Sequence, residues 1–342
     1  MTTRVGLIGF GTVGSAVARL LTREHRHRLR LVRVCTRHGR ARPGWLASSV
    51  EWTDRFDALL DRDIDVVVEL VGGVVEACTW AEKAIRAGKS VVTANKQLVA
   101  ERGPELLGLA ARYRQQLRFE GAVAGGVPVI RAVQDGLAGD RLVKIEAVLN
   151  GTCNYILSRM DGAGLSFADA LAEAQARGYA EADPRADVDG VDACAKLAIL
   201  CAVGFKIRVR PQAIDCASIA NITPDDLARA RTAGRTIRQV SRAERIDGAR
   251  PHVRASVGPV VVPLDSPVAR AQGCQNVVVV TGELGGETAF SGQGAGGDPT
   301  AVAVVSDLLA IARARSTSSF LNVLQSDRSR HTAGVPAWPQ VQ

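Results

Sequence analysis

A chain of 342 residues, 46% hydrophobic and 23% charged, has enough apolar surface for two packed cores and no compositional mark of disorder or low complexity. Its net charge of +8 is spread along the chain and carried mostly by arginine, which excludes a concentrated nucleic-acid face but suits a phosphorylated cofactor or a carboxylated substrate. The cysteines form no C-x-x-C pair and no metal-ligand spacing, and neither a leader nor a membrane-length apolar run occurs. The chain therefore reads as a soluble, cytoplasmic protein with reduced thiols.

From the N-terminus, short apolar runs alternate with amphipathic stretches. The periodicity predicts a strand over 4–9, a helix over 12–24, strands over 29–35 and 65–70, a helix over 75–87, a strand over 90–94, a helix over 104–115 and a strand over 117–123. Such alternation implies an α/β fold with a Rossmann-type, doubly wound parallel sheet, its central strands (Val66-Val67-Val68) buried on both faces. From Pro128 the rhythm changes to a helix over 128–138, a strand over 142–149 and helices over 152–160, 166–177 and 189–204. Strands over 250–262 and 276–282 follow the Asp247-Gly248 turn. This predicts a first domain over 1–127, an α+β domain over 128–298, a helix near 299–314 that returns to complete the first domain, and a flexible tail over 316–342.

Gly9-Phe10-Gly11-Thr12-Val13-Gly14 follows the first strand and opens an amphipathic helix, the setting a dinucleotide fingerprint needs. Gly9 permits the tight turn, Gly11 lets the backbone approach a pyrophosphate, and Gly14 lets helix and strand pack closely. Free N–H groups at the helix start meet the phosphate charge. The second strand ends in Cys35-Thr36-Arg37-His38-Gly39-Arg40, where an NAD enzyme usually offers a carboxylate to the ribose; Arg37 and Arg40 favour a 2′-phosphate, and so NADP over NAD.

Two further segments carry chemistry. In Thr93-Ala94-Asn95-Lys96 a lysine stands just past the carboxyl end of a strand, where open α/β sheets bind ligands. Between Gly178 and Lys196 acids are dense (Glu181, Asp183, Asp187, Asp189, Asp192), and Asp192 and Lys196 share a helical face that continues into the apolar run Ala198-Ile199-Leu200-Cys201. A lysine partly desolvated there and paired with a carboxylate is suited to donate a proton. A solvated, acidic first helical turn is the bland alternative.

Six ordered blocks, at 5–14, 66–73, 91–96, 119–128, 150–157 and 178–196, resemble homoserine dehydrogenases, and Gly292-Gln293-Gly294-Ala295-Gly296 with Asp298-Pro299-Thr300-Ala301 resembles that family's closing cofactor-side loop. The resemblance implies NAD(P)-dependent interconversion of L-aspartate 4-semialdehyde and L-homoserine, in threonine and methionine biosynthesis. It implies that Lys196 is the general acid, with Lys96 beside the reacting oxygen and the nicotinamide, and Asp192 orienting the lysine. Glu181 is implied to hold the substrate ammonium, with Asp187, Tyr179 and Thr152 also on the substrate side. Cofactor contacts fall to the residues from Gly9 to Gly14, Arg37, Thr93, Lys96 and Gly294. A monovalent cation, sodium, is implied near Glu120 with carbonyls of Val123, Gly125 and Val127. Homodimerisation through the second domain, and the lack of the regulatory domain many members append, are likewise expectations from the family. Cys153 where threonine is usual, Gly121-Ala122 for Ala-Ser or Ala-Thr, and Gln293 for arginine are departures that bear on cation affinity and substrate preference.

Three rivals are open. A thiol-dependent semialdehyde dehydrogenase would use Cys153 but needs a paired histidine, and no histidine falls in a site block. A silent dinucleotide-binding regulator has no use for Lys96, Glu181, Asp192 and Lys196. A paralogue would reduce a related amino-acid semialdehyde.

Overall fold

The computed structural model describes residues 2–37 and 41–328, the last of these, 316–328, by backbone alone. Six strands, β1 (Thr3–Ile8), β2 (Leu29–Cys35), β3 (Glu51–Thr53), β4 (Val66–Glu69), β5 (Ser90–Thr93) and β6 (Leu117–Arg118), form a sheet in the order β3-β2-β1-β4-β5-β6. Every pairing is parallel. The order reverses between β1 and β4, so a crevice opens at their carboxyl ends. Helices α1 (Thr12–Arg23), α2 (Val75–Arg86) and α3 (Lys96–Arg112) follow β1, β4 and β5, and Val5, Val66, Val68 and Val92 are fully buried.

In this region one strand goes unpredicted and two predicted boundaries move. The short strand β3 carries no apolar run and escapes the pattern. Helix α3 begins at Lys96 rather than 104: Gly103-Pro104 resembles a helix start, but Asn95 caps the helix earlier, its side chain accepting from the Leu98 N–H at 3.1 Å, and Pro104 lies inside it. The strand expected over 117–123 stops at Arg118 because the chain turns into a 3₁₀ segment at Glu120–Ala122.

A second six-stranded sheet is built from β7 (Leu142–Val148), β8 (Asp215–Cys216), β9 (Arg235–Ile246), β10 (His252–Pro263), β11 (Gln275–Gly282) and β12 (Gly286–Gln293), in the order β12-β11-β7-β9-β10-β8. All its pairings are antiparallel except β8 with β10. Around it lie α4 (Val129–Arg131), which runs into a π-helical turn, α5 (Gly151–Ala163), α6 (Phe167–Ala176), α7 (Arg185–Val188), α8 (Val191–Gly204), α9 (Pro224–Thr232) and α10 (Pro267–Arg270). Helix α8 is apolar on nearly every face, with Ala193, Leu197, Ile199, Leu200 and Cys201 in the core, as a central helix must be.

The last helix, α11 (Gly297–Arg328), returns to the first sheet. Its Ala301, Val304, Val305, Leu308 and Ile311 join Val5, Leu7, Val17, Leu21, Val66 and Val68 in one core. Arg315 pairs with Asp65 at 2.9 Å, and Asp307 accepts the Glu120 N–H at 2.8 Å. The helix runs past the expected end at 314, so the expected tail begins as helix; Arg40 and residues 329–342 lie outside the described residues. Among the described residues no helix is long and apolar enough to cross a membrane.

Candidate active site

The crevice between the two sheets is a cleft of about 670 Å³. Its floor at one end is the turn from β1 into α1. Gly9 has φ +90°, and a Cβ there would lie 2.8 Å from the Leu70 carbonyl oxygen. At Gly14 a Cβ would lie 2.2 Å from the Gly9 carbonyl oxygen, whereas one at Gly11 would meet nothing within 4 Å. The first two glycines are thus needed for packing, and the third leaves the backbone open to the cleft. Gly11, Thr12, Val13 and Gly14 all line it, and the N-terminus of α1 has no side-chain cap, so its N–H groups are free for an anion. This cradle fits a dinucleotide pyrophosphate.

Lys96 and Lys196 line the same cleft. Asp192, 8% exposed, stands between them, with Oδ1 2.7 Å from Lys96 Nζ and Oδ2 2.7 Å from Lys196 Nζ. The three residues are brought together because α3 starts at Lys96 beside the first turns of α8. Burial opposes the charge on Lys96, but Asp192 outweighs it and the lysine holds its proton more tightly than usual. Burial also opposes ionisation of Asp192, yet Lys196 and Lys96 together hold its carboxyl below the usual carboxylate range. Lys196 Nζ also donates to the Leu149 carbonyl at 2.8 Å. Asn150, the cap of α5, donates from Nδ2 to Asp187 at 2.6 Å and to Asp192 at 3.0 Å, which fixes the carboxylate from behind.

Of the residues singled out from sequence, Glu181, Gly125 and Gly294 also line the cleft. Others stand behind it. The Phe10 ring is buried against Trp45 and Trp52. Thr93 is fully buried and donates to Glu69 at 2.7 Å; Glu69 in turn accepts from the N–H groups of Val71 and Gly72, holding the loop after β4. Thr152 donates to the Tyr179 carbonyl at 2.7 Å, and the Tyr179 ring lies against Tyr155. Arg37 pairs with Glu76 at the start of α2 and lies over the Trp80 ring. Glu120 is buried and its carboxylate accepts the N–H groups of Ile130 and Arg131 at 2.8 and 3.0 Å. Sequence reasoning missed Glu69, Asn150 and the Leu149 carbonyl. Asn150 preceding a helix was a readable cap signal; the other two carry none.

Cys153 is buried, and burial first, then Asp187 and Asp192, push its thiol well above the usual range, so it holds no nucleophilic thiolate. Cys153→Ser is therefore expected to keep turnover within about threefold of wild type, since a thiol-dependent route would lose it outright. Steady-state kinetics on the purified variant check this.

A glycine cradle for an anion and two carboxylate-bridged lysines lining one cleft suit hydride exchange between a dinucleotide and a small polar substrate. The class this defines is the nicotinamide-dependent oxidoreductases. The family profile for homoserine dehydrogenase matches residues 128–309, and that for the homoserine dehydrogenase NAD-binding domain matches residues 9–120. A homoserine dehydrogenase of Bacillus subtilis is 39% identical over 317 residues, covering 90% of this chain and 72% of that protein. The crystal structure of a homoserine dehydrogenase from Thiobacillus denitrificans superposes with a TM-score of 0.86 at 37% identity, covering 93% of this chain and 74% of that one. A hyperthermophilic archaeal homoserine dehydrogenase in complex with NADPH gives 0.76 at 26% identity, covering 90% and 97%. The chain belongs to the homoserine dehydrogenase family and is an NAD(P)-dependent oxidoreductase acting on a CH–OH group. It spans from 61% to 73% of the length of the curated relatives it matches.

Proposed function

We propose that the chain interconverts L-aspartate 4-semialdehyde and L-homoserine, with Lys196 as the proton donor in the reducing direction. The observation that carries this reading is the Lys96–Asp192–Lys196 bridge in the same cleft as the glycine cradle. When bound, the nicotinamide dinucleotide supplies the hydride. Lys196 gives a proton to the oxygen of the former aldehyde, which balances the reduction to the alcohol, and Lys96 offsets the negative charge that develops on that oxygen. Asp192 holds both ammonium groups in place without reaching the cleft itself. Glu181, exposed on the cleft wall, is the carboxylate for the substrate ammonium, and Asp187 stiffens the site through Asn150. Thr152 and Tyr179 support that wall through their mutual hydrogen bond.

NADP is the preferred cofactor in this reading, because Arg37, two residues past the end of β2, stands where an NAD enzyme usually offers a carboxylate; the archaeal relative's complex with NADPH accords with it. Arg37→Ala is expected to lower kcat/KM with NADPH about tenfold and to leave the NADH value nearly unchanged, as one charge-assisted phosphate contact is worth about 1.5 kcal/mol. A monovalent cation fits the turn after Glu120 only through main-chain oxygens. Ala124 and Gly125, at φ +56° and +55°, reverse the chain there, while the Glu120 carboxylate is engaged by N–H groups. The protein is proposed to work as a cytoplasmic homodimer. The test of the reaction is oxidation of NADPH and, separately, NADH by aspartate semialdehyde, followed by the loss of reduced-nicotinamide absorbance. Turnover with a different amino-acid semialdehyde alone would reassign the substrate.

A further inference from the structure

A buried amide at the start of β11 has no part in the scheme above. Asn276 is fully buried, and its Nδ2 donates at 2.9 Å to the Leu149 carbonyl oxygen, the same oxygen that accepts from Lys196 Nζ at 2.8 Å. Among the described residues, no hydrogen-bond donor reaches its own Oδ1. That oxygen lies 1.8 Å from where a Cβ on Gly294 would stand, so only glycine at 294 leaves room for the amide.

An unmet buried acceptor costs stability, and a leucine of similar shape would remove the cost. The amide is thus a poor choice for packing alone. What it does fix is the direction of the Leu149 carbonyl. A lysine ammonium has three N–H donors on a flexible stem. One is taken by Asp192 and one by Leu149, which leaves the third for the cleft. The aim of that third donor depends on both anchors staying still, and Leu149 is held by Asn276.

We infer that Asn276 is a positioning residue for proton transfer: by pinning the Leu149 carbonyl it aims the free N–H of Lys196 at the substrate oxygen. The inference rests on the proton-donor role proposed for Lys196. In Asn276→Leu and Asn276→Val, neither of which carries a donor for Leu149, kcat falls about tenfold and KM for aspartate semialdehyde stays within about twofold. The solvent deuterium isotope effect on kcat rises above that of wild type, because misaimed proton transfer becomes slower relative to the other steps. Asn276→Leu keeps or raises the Tm, which a packing role would not allow. The second variant serves if the first does not fold. Unchanged kcat and isotope effect in a folded variant would overturn the inference, as would a loss of kcat that tracks a lower Tm with no change in the isotope effect. Lys196→Ala run alongside separates the two readings. If it is inactive while the Asn276 variants behave as wild type, only the positioning role fails; if it retains full turnover, the donor role fails as well.

Discussion

Lys196→Ala lowers kcat for the reduction of aspartate semialdehyde by at least about 10²-fold, the usual scale for loss of a general acid. The side chain is only 12% exposed and is anchored at two points, so water cannot take over its position without first being ordered there. Cofactor affinity should survive, because the cradle is built from the turn at Gly9 to Gly14, of which Lys196 is no part. A fluorescence titration with NADPH alongside the rate assay checks both halves, and wild-type kcat in the variant would sink the assignment of Lys196.

Asp192→Asn is expected to lower kcat by about 10²-fold and also to destabilise the protein. Its carboxylate is the shared counter-ion of two lysines, and removal leaves two like charges facing each other in a half-buried site. Breaking a buried pair of this kind costs about 3 kcal/mol. Most of that cost falls on the Lys196 side, since Lys96 is 38% exposed and its pairing is better screened. Thermal unfolding of the variant reports the cost directly. A variant with wild-type Tm would mean that the lysines relax apart freely, and the rigid bridge would not be a property of the protein in solution.

Much of the first sheet was legible because its strands are continuous apolar runs and its first turn is a glycine fingerprint with strand before and helix after. Lys96 was legible because it stands just past the carboxyl end of a strand, and Asp192 and Lys196 because charges that share a helical face running into an apolar stretch stand out against the pattern. The second sheet was harder. β9 carries Arg235, Arg238, Arg242 and Arg245 among its apolar residues, and Arg238 is buried. β12 is short of large side chains and mostly exposed, so neither strand has the alternation that marks one. Helix α9 announces itself by a Thr223–Asp226 capping box, a signal that was present and passed over. Of the supports of the site, only Asn150 showed, and only as a helix cap. Leu149, Asn150 and Asn276 are uncharged, and their roles appear only where the turn between β7 and α5 meets β11.

The return of α11 to the first sheet also bears on how the chain is made. One face of that sheet, with Val5, Leu7, Val66 and Val68, is covered jointly by α1, through Val17 and Leu21, and by α11 residues from Ala301 to Ile311. During synthesis from the N-terminus, the strands of the cofactor-binding sheet leave the ribosome long before the helix that completes their cover. Its apolar face must wait while the entire second sheet is translated. Until α11 docks, part of that face stays open, which is the kind of surface that favours aggregation of partly made chains.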